Sequence, residues 1–254
     1  MSDQLHYKDQ GDGEIIILIH GLFGSLDNLG LLARDLVKDH RVISVDLRNH
    51  GRSFHSDDHS YQAQAFDVLN LLNHLKIENA TLVGHSMGGK VAMRLASLAP
   101  QIISKMIIMD MAPVSYQVDR HANVFAGILA VENGAPTARS EAMDLMATEI
   151  EMDGVRQFLS KSLYKDGDRL AWRFNHRVLK SWYWEITGWE TLAPNPVSTL
   201  FIKGADSDYI TAEYQAQILQ QFPNAKAHVI ANTGHWLHAE KPEMVLRTIR
   251  KFLI

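Results

Sequence analysis

One short stretch constrains this chain more than any other: residues 84–88 read Gly-His-Ser-Met-Gly, which is the pattern Gly-x-Ser-x-Gly. An apolar run, 81–83, precedes it, and residues 89–96 follow with helical spacing. This order predicts a strand, a very tight turn and a helix, and the turn needs the small footprint of glycine on both sides. The Ser86 side chain is then presented at the end of the strand, while the N–H of Met87 lies at the positively polarised start of the helix. We therefore predict that Ser86 is a catalytic nucleophile and that Met87 supplies one N–H to an oxyanion hole.

The composition fits a globular protein and excludes several kinds of site and partner. Hydrophobic residues make up 46% of the 254 residues and charged residues 21%, an ordinary globular balance. The absence of cysteine excludes disulfides, thiolate metal ligands and a cysteine nucleophile. A net charge of −4 argues against nucleic acid or an anionic membrane as the main partner. No leader-peptide pattern and no membrane-spanning apolar run is visible, so we expect a cytoplasmic protein. The sequence does not reveal the oligomeric state, and a monomer is the default expectation.

Strand-like and helix-like segments alternate along most of the chain, which predicts a mostly parallel sheet with crossover helices. Several strand-length runs are almost entirely apolar, as strands covered on both faces must be. The predicted strands are 5–8, 15–19, 42–45, 81–83, 105–109, 199–202 and 227–230, and the predicted helices are 28–38, 62–75, 89–96 and 240–252.

The strand pattern stops after Pro113 and resumes only beyond two further prolines near residue 195. Between them, residues 114–192 show helical spacing, many charges, a cluster of tryptophans and no clear strand. We therefore expect an α/β core formed by residues 1–113 and 193–254, with a helical lid inserted between its two parts. A lid over the serine would shape the substrate pocket with its large side chains, and Trp182 is a candidate contact.

A serine hydroxyl is a weak nucleophile and needs a base, which in turn needs a group to orient it. Among 13 histidines, His235 lies between the last predicted strand and the last predicted helix. In a parallel sheet this loop returns to the carboxyl edge, where Ser86 also projects. His235 is therefore the predicted base, and its neighbour Trp236 is predicted to flank the reacting centre.

The second donor of the oxyanion hole should come from a loop after an early central strand. Residues 19–24 read Ile-His-Gly-Leu-Phe-Gly, and their glycines allow the backbone to approach a substrate closely. The Leu22 N–H is the candidate donor, Phe23 is a candidate substrate contact, and the side chain of His20 is expected to brace the loop rather than to react.

Three aspartates compete for the role of the acid. Asp110 ends the strand that follows the nucleophile strand and should emerge beside Ser86 on the same sheet edge. Asp206 and Asp208 end the next predicted strand and flank Ser207. The chain order serine, acid, histidine is satisfied by each of the three.

Four segments occur in a fixed order over nearly the whole chain: His-Gly-Leu-Phe-Gly-Ser (20–25), Asp-Leu-Arg-Asn-His-Gly-Arg-Ser (46–53), Gly-His-Ser-Met-Gly-Gly (84–89) and Gly-His-Trp (234–236). Together they resemble the α/β-hydrolase superfamily, and the particular residues in them are similar to those of the bacterial YbfF-type esterases and their mitochondrial relatives. The resemblance implies an eight-stranded, mostly parallel sheet with helices on both faces and a small helical lid. It also implies hydrolysis of esters or thioesters without a cofactor.

The same resemblance bears on the acid. Most of the superfamily carries an aspartate in a Gly-x-x-Asp pattern after the seventh strand, but here Ser207 holds that place. The YbfF-like group takes its acid from after the sixth strand, which corresponds to Asp110. We therefore predict Asp110 as the acid and Ser207 as a secondary group that helps to orient the histidine.

A phosphate-binding loop and a metal site fit the sequence less well. Residues 84–90 match the phosphate-binding pattern Gly-x-x-x-x-Gly-Lys, but Val91 stands where a magnesium-binding Ser or Thr is needed. His50, His55 and His59 cluster in a loop rich in serine and aspartate, with a spacing that fits no standard zinc site. No metal is expected.

The sequence thus predicts a serine hydrolase that cleaves a small carboxylic ester with an apolar acyl group. An acyl-CoA thioesterase would use the same residues, because esters and thioesters share the tetrahedral intermediate. A binding protein on a hydrolase fold is the alternative outside enzymes, since fold alone does not determine function.

Overall fold

Strands that alternate with helices dominate the structure, a computed structural model that describes residues 4–254. Within these residues the strands are β1 (Tyr7–Gln10), β2 (Ile15–Ile19), β3 (Arg41–Val45), β4 (Ala80–His85), β5 (Ile103–Met109), β6 (Leu163–Asp166), β7 (Arg169–Trp172), β8 (Ser198–Gly204) and β9 (Ala225–Ile230). The helices are α1 (Gly30–Leu36), α2 (Tyr61–His74), α3 (Met87–Leu98), α4 (Ala122–Gly134), α5 (Arg139–Ala147), α6 (Asp153–Ser160), α7 (His176–Ser181), α8 (Tyr183–Thr187), α9 (Gln215–Gln221), α10 (Leu237–Glu240) and α11 (Pro242–Leu253).

Seven of these strands form the central sheet, in the order β1-β3-β2-β4-β5-β8-β9. The edge strand β1 runs antiparallel to β3, and the remaining neighbours pair in parallel. Parallel strands bring their carboxyl ends to one edge, and the crevice outside those ends is where open α/β sheets bind ligands. The order places the end of β4, which precedes Ser86, near the middle of that edge.

Both faces of the sheet are buried, which explains why the central strands are apolar at consecutive positions. In β2, Ile17 and Ile19 pack into one hydrophobic cluster, while Ile16 and Leu18 pack into the cluster on the other side. Side chains alternate between the faces of a strand, so a strand covered on both sides must be apolar throughout. The predicted mostly parallel sheet with helices on both faces is confirmed.

The strand count differs from the eight that the family resemblance implies, because seven strands form the sheet within residues 4–254. Within the described residues, neither edge of the sheet carries an eighth strand. Only residues 4–6 of the described part precede β1, which is too short a segment for a further strand. Beyond β9, at the opposite edge, the described chain is mainly helical.

The insertion between β5 and β8 contains helices α4 to α8, but it is not free of strands as expected. The strands β6 and β7 pair as an antiparallel hairpin with Asp166 opposite Arg169. The two residues between them, Gly167 and Asp168, make the turn, and Gly167 has a φ of 60°, a conformation that costs glycine little. The expectation of a purely helical insertion is corrected by this hairpin.

No helix within residues 4–254 is both long enough and apolar enough to cross a membrane. The cytoplasmic location and the monomeric state stay predictions.

Candidate active site

Ser86 lies in the turn between β4 and α3, with a φ of 53° and a ψ of −123°. A positive φ strains a residue with a side chain, so the surrounding chain must hold it in place. The glycines allow the close approach: a Cβ on Gly84 would lie 2.3 Å from the Gly88 carbonyl oxygen, and one on Gly88 would lie 2.3 Å from that of Ile19. The turn therefore presents the Ser86 hydroxyl at the carboxyl edge of the sheet.

The register of the sheet places Asp110 beside Ser86. His85 pairs with Met109 across β4 and β5, so the next residues along the two strands are Ser86 and Asp110. Asp110 has a φ of 52°, another strained position directly after a strand. The two residues thus leave neighbouring strands at the same level of the sheet edge.

His235 bridges these two residues. Its Nε2 lies 2.9 Å from the Ser86 Oγ, and its Nδ1 lies 2.7 Å from Oδ2 of Asp110. Since a carboxylate can only accept, Nδ1 carries a proton toward Asp110 and Nε2 is free to accept one from the serine. The structure therefore brings the three residues predicted as nucleophile, base and acid into one hydrogen-bonded chain.

The Asp110 carboxylate is fully buried and receives two further hydrogen bonds. The hydroxyl of Ser207 donates to Oδ2, the same oxygen that faces His235, and the N–H of Gly204 donates to Oδ1 at 3.2 Å. Ser207 thus contacts the acid and not the imidazole. These donors compensate the carboxylate for the loss of water.

The competing aspartates have other surroundings. Asp208 has 68% of its side chain exposed and forms an ion pair with Arg120 at 2.6 Å. Asp206 is exposed, and its N–H donates to the carbonyl of Thr233. Within the described chain, Asp110 is the aspartate whose carboxylate meets the His235 ring.

The loop that carries His235 is fixed by contacts from three directions. The ring of Tyr209 stacks on the His235 ring, with centroids 3.9 Å apart and planes 19° apart. His85 donates from Nε2 to the His235 carbonyl at 2.9 Å. Gly204 lies so close under the loop that a Cβ there would come within 2.2 Å of the Gly234 carbonyl oxygen. These contacts hold the His235 ring in one orientation.

Both predicted oxyanion donors lie around Ser86. Met87 is the first residue of α3, where a helix leaves its N–H groups unpaired, and Leu22 lies in the loop after β2. The described residues offer neither of these two N–H groups a hydrogen-bond partner. Leu22 and Ser86 line the same two cavities, and the oxyanion role of the Leu22 and Met87 N–H groups stays a prediction.

A cavity of about 390 Å³ opens on one side of Ser86. Phe23 and Trp236, predicted as substrate contacts, lie in its wall with Val124, Val155, Phe158 and Leu159, which the insertion contributes. Phe158 stacks on Trp236 with ring centroids 5.7 Å apart. Apolar side chains with a few polar groups are typical of small-molecule sites.

A second, smaller cavity of about 30 Å³ lies against Ser86, Met87 and Leu22. Besides Ser86, the side chains in its wall that can form hydrogen bonds are Tyr61, Tyr116, Arg120, His121, Tyr183, Thr187 and Tyr209.

Trp182 was predicted to contact substrate, but it lines neither cavity. Its indole nitrogen instead donates to the carbonyl of Asp57 at 2.7 Å, joining the insertion to the loop after β3. Trp182 therefore contacts the core of the molecule, and its predicted role is corrected.

Several imidazoles near His235 are held neutral by burial. Burial lowers the pKa of His121 to about 4 and that of His238 to about 3, and it lowers the pKa of His85 well below its ordinary value. The ring of His85 lies 4.9 Å from that of His235 and 4.2 Å from that of His238. These neutral rings therefore place no charge beside His235.

Lys90, the lysine of the phosphate-loop pattern, is not free to bind a phosphate. Its ammonium is fully buried and donates to the carbonyl oxygens of Thr187 at 2.9 Å and Gly188 at 2.8 Å. Burial lowers the pKa of Lys90 to about 7. Lys90 thus joins α3 to the end of α8.

Some residues of the site escaped the sequence analysis. The contact of Tyr209 with His235 and that of Phe158 with Trp236 join segments far apart in the chain, and no local pattern marks them. His238 could have been noticed, because it follows His235 by three residues at the start of a helix. No group of residues suited to a metal ion occurs in the part of the chain that the structure describes.

Comparisons with known proteins agree with this architecture. A family model described as the alpha/beta hydrolase fold matches residues 14–242. The chain is 48% identical to the esterase YbfF of Escherichia coli, with 97% of this chain and 95% of that protein covered. It is 44% identical to a putative esterase/lipase of Haemophilus influenzae, with 94% of this chain and 83% of that protein covered.

A solved structure titled as a marine microorganism esterase has a TM-score of 0.96 and 33% identity, and it covers 99% of this chain and 100% of its own. The likeness extends over the sheet and the insertion together, since almost no residue of either chain is left out. The protein belongs to the α/β-hydrolase family, in the group of carboxylic ester hydrolases that includes YbfF.

Proposed function

We propose that this protein hydrolyses carboxylic esters with an apolar acyl group through a covalent acyl-enzyme on Ser86. The observation that carries the proposal is the hydrogen-bonded chain from Ser86 through His235 to the buried Asp110. A serine, a base and an orienting acid in this geometry are the parts that acyl transfer requires. A binding protein would have no need of a strained serine joined to a base.

In the first half of the reaction, the Ser86 Oγ attacks the ester carbonyl carbon and passes its proton to Nε2 of His235. The carbonyl oxygen becomes an oxyanion, which the N–H groups of Leu22 and Met87 stabilise. Each such donor is worth about 2.7–4 kcal/mol to the transition state. The intermediate then collapses, the bond from carbonyl carbon to alcohol oxygen breaks, and His235 protonates the departing alcohol.

In the second half, a water molecule gives a proton to Nε2 of His235 and its oxygen attacks the acyl carbon. Collapse of this second intermediate releases the carboxylic acid and returns the proton to the Ser86 Oγ. Throughout, the Asp110 carboxylate stabilises the charged His235 ring and keeps its Nδ1 proton in place. Ser207 supports the process indirectly, by holding Asp110.

The large cavity supports the choice of an apolar acyl group. Its wall near Ser86 is formed by Phe23 and Trp236 from the core and by Phe158 from the insertion. We further propose that residues 114–192 act as a lid, because they supply one side of this cavity. An apolar chain gains about 0.8 kcal/mol for each buried CH₂ group, so affinity should rise with chain length until the cavity is full.

A fluorophosphonate probe tests the nucleophile, because it modifies serines that are activated by a base. The wild-type chain should be labelled at Ser86, whereas Ser86→Ala should not react and His235→Ala should react very slowly. Turnover of p-nitrophenyl esters should fall by about six orders of magnitude in Ser86→Ala, as it does when a triad serine is removed. Unchanged labelling or turnover in Ser86→Ala would refute the proposed mechanism.

A panel of p-nitrophenyl esters and acyl-CoAs of graded acyl length tests the substrate. The proposal expects kcat/KM for the esters to increase with apolar chain length and then to level off. Faster turnover of the acyl-CoAs at every length would favour the thioesterase alternative, with the same catalytic residues. A preference for charged or very short acyl groups would contradict the proposed acyl site.

A further inference from the structure

The loop that carries the Leu22 N–H rests on two buried imidazoles. His20 donates from Nδ1 to the carbonyl of Gly21 at 2.8 Å, and its Nε2 accepts the N–H of Leu47 at 3.1 Å. His50 contacts the same loop one peptide further along the chain. Its Nε2 accepts the N–H of Phe23 at 3.1 Å.

The other nitrogen of His50 is anchored in the loop after β3. Its Nδ1 lies 3.0 Å from the carbonyl oxygen of Arg48. His50 has no exposed surface, and its ring lies 5.1 Å from that of His20 and 5.6 Å from that of His59. The mechanism above makes no use of this histidine.

The two partners of His50 decide its protonation. A backbone carbonyl can only accept, so Nδ1 carries the hydrogen, and a backbone N–H can only donate, so Nε2 carries none. The ring is therefore neutral, in the Nδ1–H tautomer. Burial, together with the neighbouring His20 and His59 rings, lowers the pKa of His50 well below its ordinary value, which agrees with this state.

The bond to His50 lies beside a strained residue. Phe23 has a φ of 61°, a conformation that side chains with a Cβ rarely adopt. Strain of this kind persists only where the surroundings hold the backbone in place. The Phe23 N–H that His50 accepts belongs to the peptide that joins Leu22 to Phe23.

Two adjacent planar peptides are thus held by two rings. His20 holds the carbonyl of the Gly21–Leu22 peptide, whose other end is the Leu22 N–H itself. His50 holds the next peptide, so the Leu22 backbone has its orientation set from both sides. Because peptide units are planar, fixing one end of each unit fixes the direction of the other.

We propose that His50 is a positioning residue for the oxyanion hole: by accepting the Phe23 N–H, it aims the Leu22 N–H at the developing oxyanion. This inference rests on the proposed function, since it assigns a role within the same reaction. An oxyanion donor stabilises the transition state only if it is in place before charge develops. His50 therefore fixes the direction of the Leu22 N–H in advance, without contacting the substrate.

Two variants separate the contacts of the ring. In His50→Gln, the amide oxygen stands as many bonds from Cα as Nε2 does, and it can accept the Phe23 N–H. In His50→Asn, the amide reaches only the position of Nδ1, so it keeps the bond to the Arg48 carbonyl and loses the one to Phe23. His55→Asn serves as the control, because His55 is an exposed histidine of the same loop.

The proposal expects His50→Asn to lower kcat about 100-fold, the cost of misplacing one oxyanion donor, with KM changed by less than about threefold. Its affinity for a trifluoromethyl ketone, which forms a tetrahedral oxyanion on the serine, should fall in parallel. His50→Gln should recover most of both losses, and His55→Asn should match the wild type. Equal losses in the Gln and Asn variants, or a fall in kcat without a fall in ketone affinity, would overturn the proposal.

A measurement on the wild type keeps the test valid if a variant folds poorly. The ¹⁵N shifts of the His50 ring should report the neutral Nδ1–H tautomer around neutral pH, and the Nε2–H tautomer or a charged ring would refute the inference. The Ser86→Ala variant separates this result from the proposed function. If that variant loses turnover while His50→Asn keeps it, the catalytic serine stands and the role of His50 fails.

Discussion

Two aspartates follow neighbouring strands at the site, Asp110 after β5 and Asp208 after β8, and the surroundings of the two carboxylates differ. Asp110, after β5, is fully buried and accepts hydrogen bonds from His235, Ser207 and Gly204. Asp208, beyond β8, has 68% of its side chain exposed and pairs with Arg120. A buried carboxylate with three donors is held in one position, whereas an exposed ion pair is weakened by water and salt. Position at the sheet edge, rather than the presence of an aspartate, thus decides which carboxylate can serve the histidine.

The largest effect in this comparison should come from Asp110→Asn. The amide cannot stabilise a charged imidazole, and it favours the wrong tautomer of His235, so kcat should fall by about 10⁴. Steady-state kinetics on a p-nitrophenyl ester would measure this loss. The matched variants Asp206→Asn and Asp208→Asn should lose about tenfold at most. An active Asp110→Asn beside a crippled Asp206→Asn or Asp208→Asn would reverse the assignment.

Ser207→Ala should have an intermediate effect. It removes one donor from the Asp110 carboxylate but leaves the bonds from His235 and Gly204, so kcat should fall about tenfold, the cost of a hydrogen bond to a charged group. Ser207→Thr, which keeps the hydroxyl, is the control and should retain more activity than the alanine variant. If both variants lost as much as Asp110→Asn, Ser207 would have a direct part in the reaction.

The smallest effect concerns the stability that Asp208 contributes. Its hydrogen bonds and ion pair with Arg120 lower the pKa of Asp208 below its ordinary value. Because the folded-state pKa is the lower one, the contribution is complete above the ordinary pKa of the carboxyl and is lost as pH falls through the folded-state pKa. Asp208→Asn should therefore lower the melting temperature slightly at neutral pH and make no difference in strong acid. A difference between the two proteins that grows toward low pH would contradict this sign.

The sheet and the tight turn at Ser86 could be predicted because their causes are local. Consecutive apolar residues such as 15–19 are required wherever a strand is covered on both faces, and a glycine on each side of Ser86 is required by the turn. The chain order then limited the base to a loop after the last strand. These constraints act within a few residues, so they can be recognised in the sequence without knowledge of the tertiary contacts.

The choice among the aspartates was harder, because it depends on register and side-chain direction. Nothing near Asp208 in the sequence says that its carboxylate meets Arg120, which lies 88 residues away in the chain. Trp182 illustrates the same limit: its bond to the Asp57 carbonyl is set by how the insertion lies on the core. Contacts of this range follow from the assembled fold.

The hairpin formed by β6 and β7 was not predicted from the sequence, for a different reason. Gly167 and Asp168 form a Gly-Asp pair at the turn, which is a common signal for a two-residue connection between strands. The strands β6 and β7 are only four residues long and mostly exposed or half-buried, so their apolar pattern is faint. The turn signal was present, and the weak pattern around it concealed the hairpin.

The central claim, that Asp110 and not an aspartate beyond β8 holds the base, can be tested most directly by proton NMR of the His235 ring. A histidine N–H that donates to a carboxylate gives a strongly downfield resonance, which His235→Gln would identify by removing it. The account predicts that this resonance is present in the wild type and in Asp208→Ala and is lost from its downfield position in Asp110→Ala. A resonance that survived in Asp110→Ala and vanished in Asp208→Ala would contradict it.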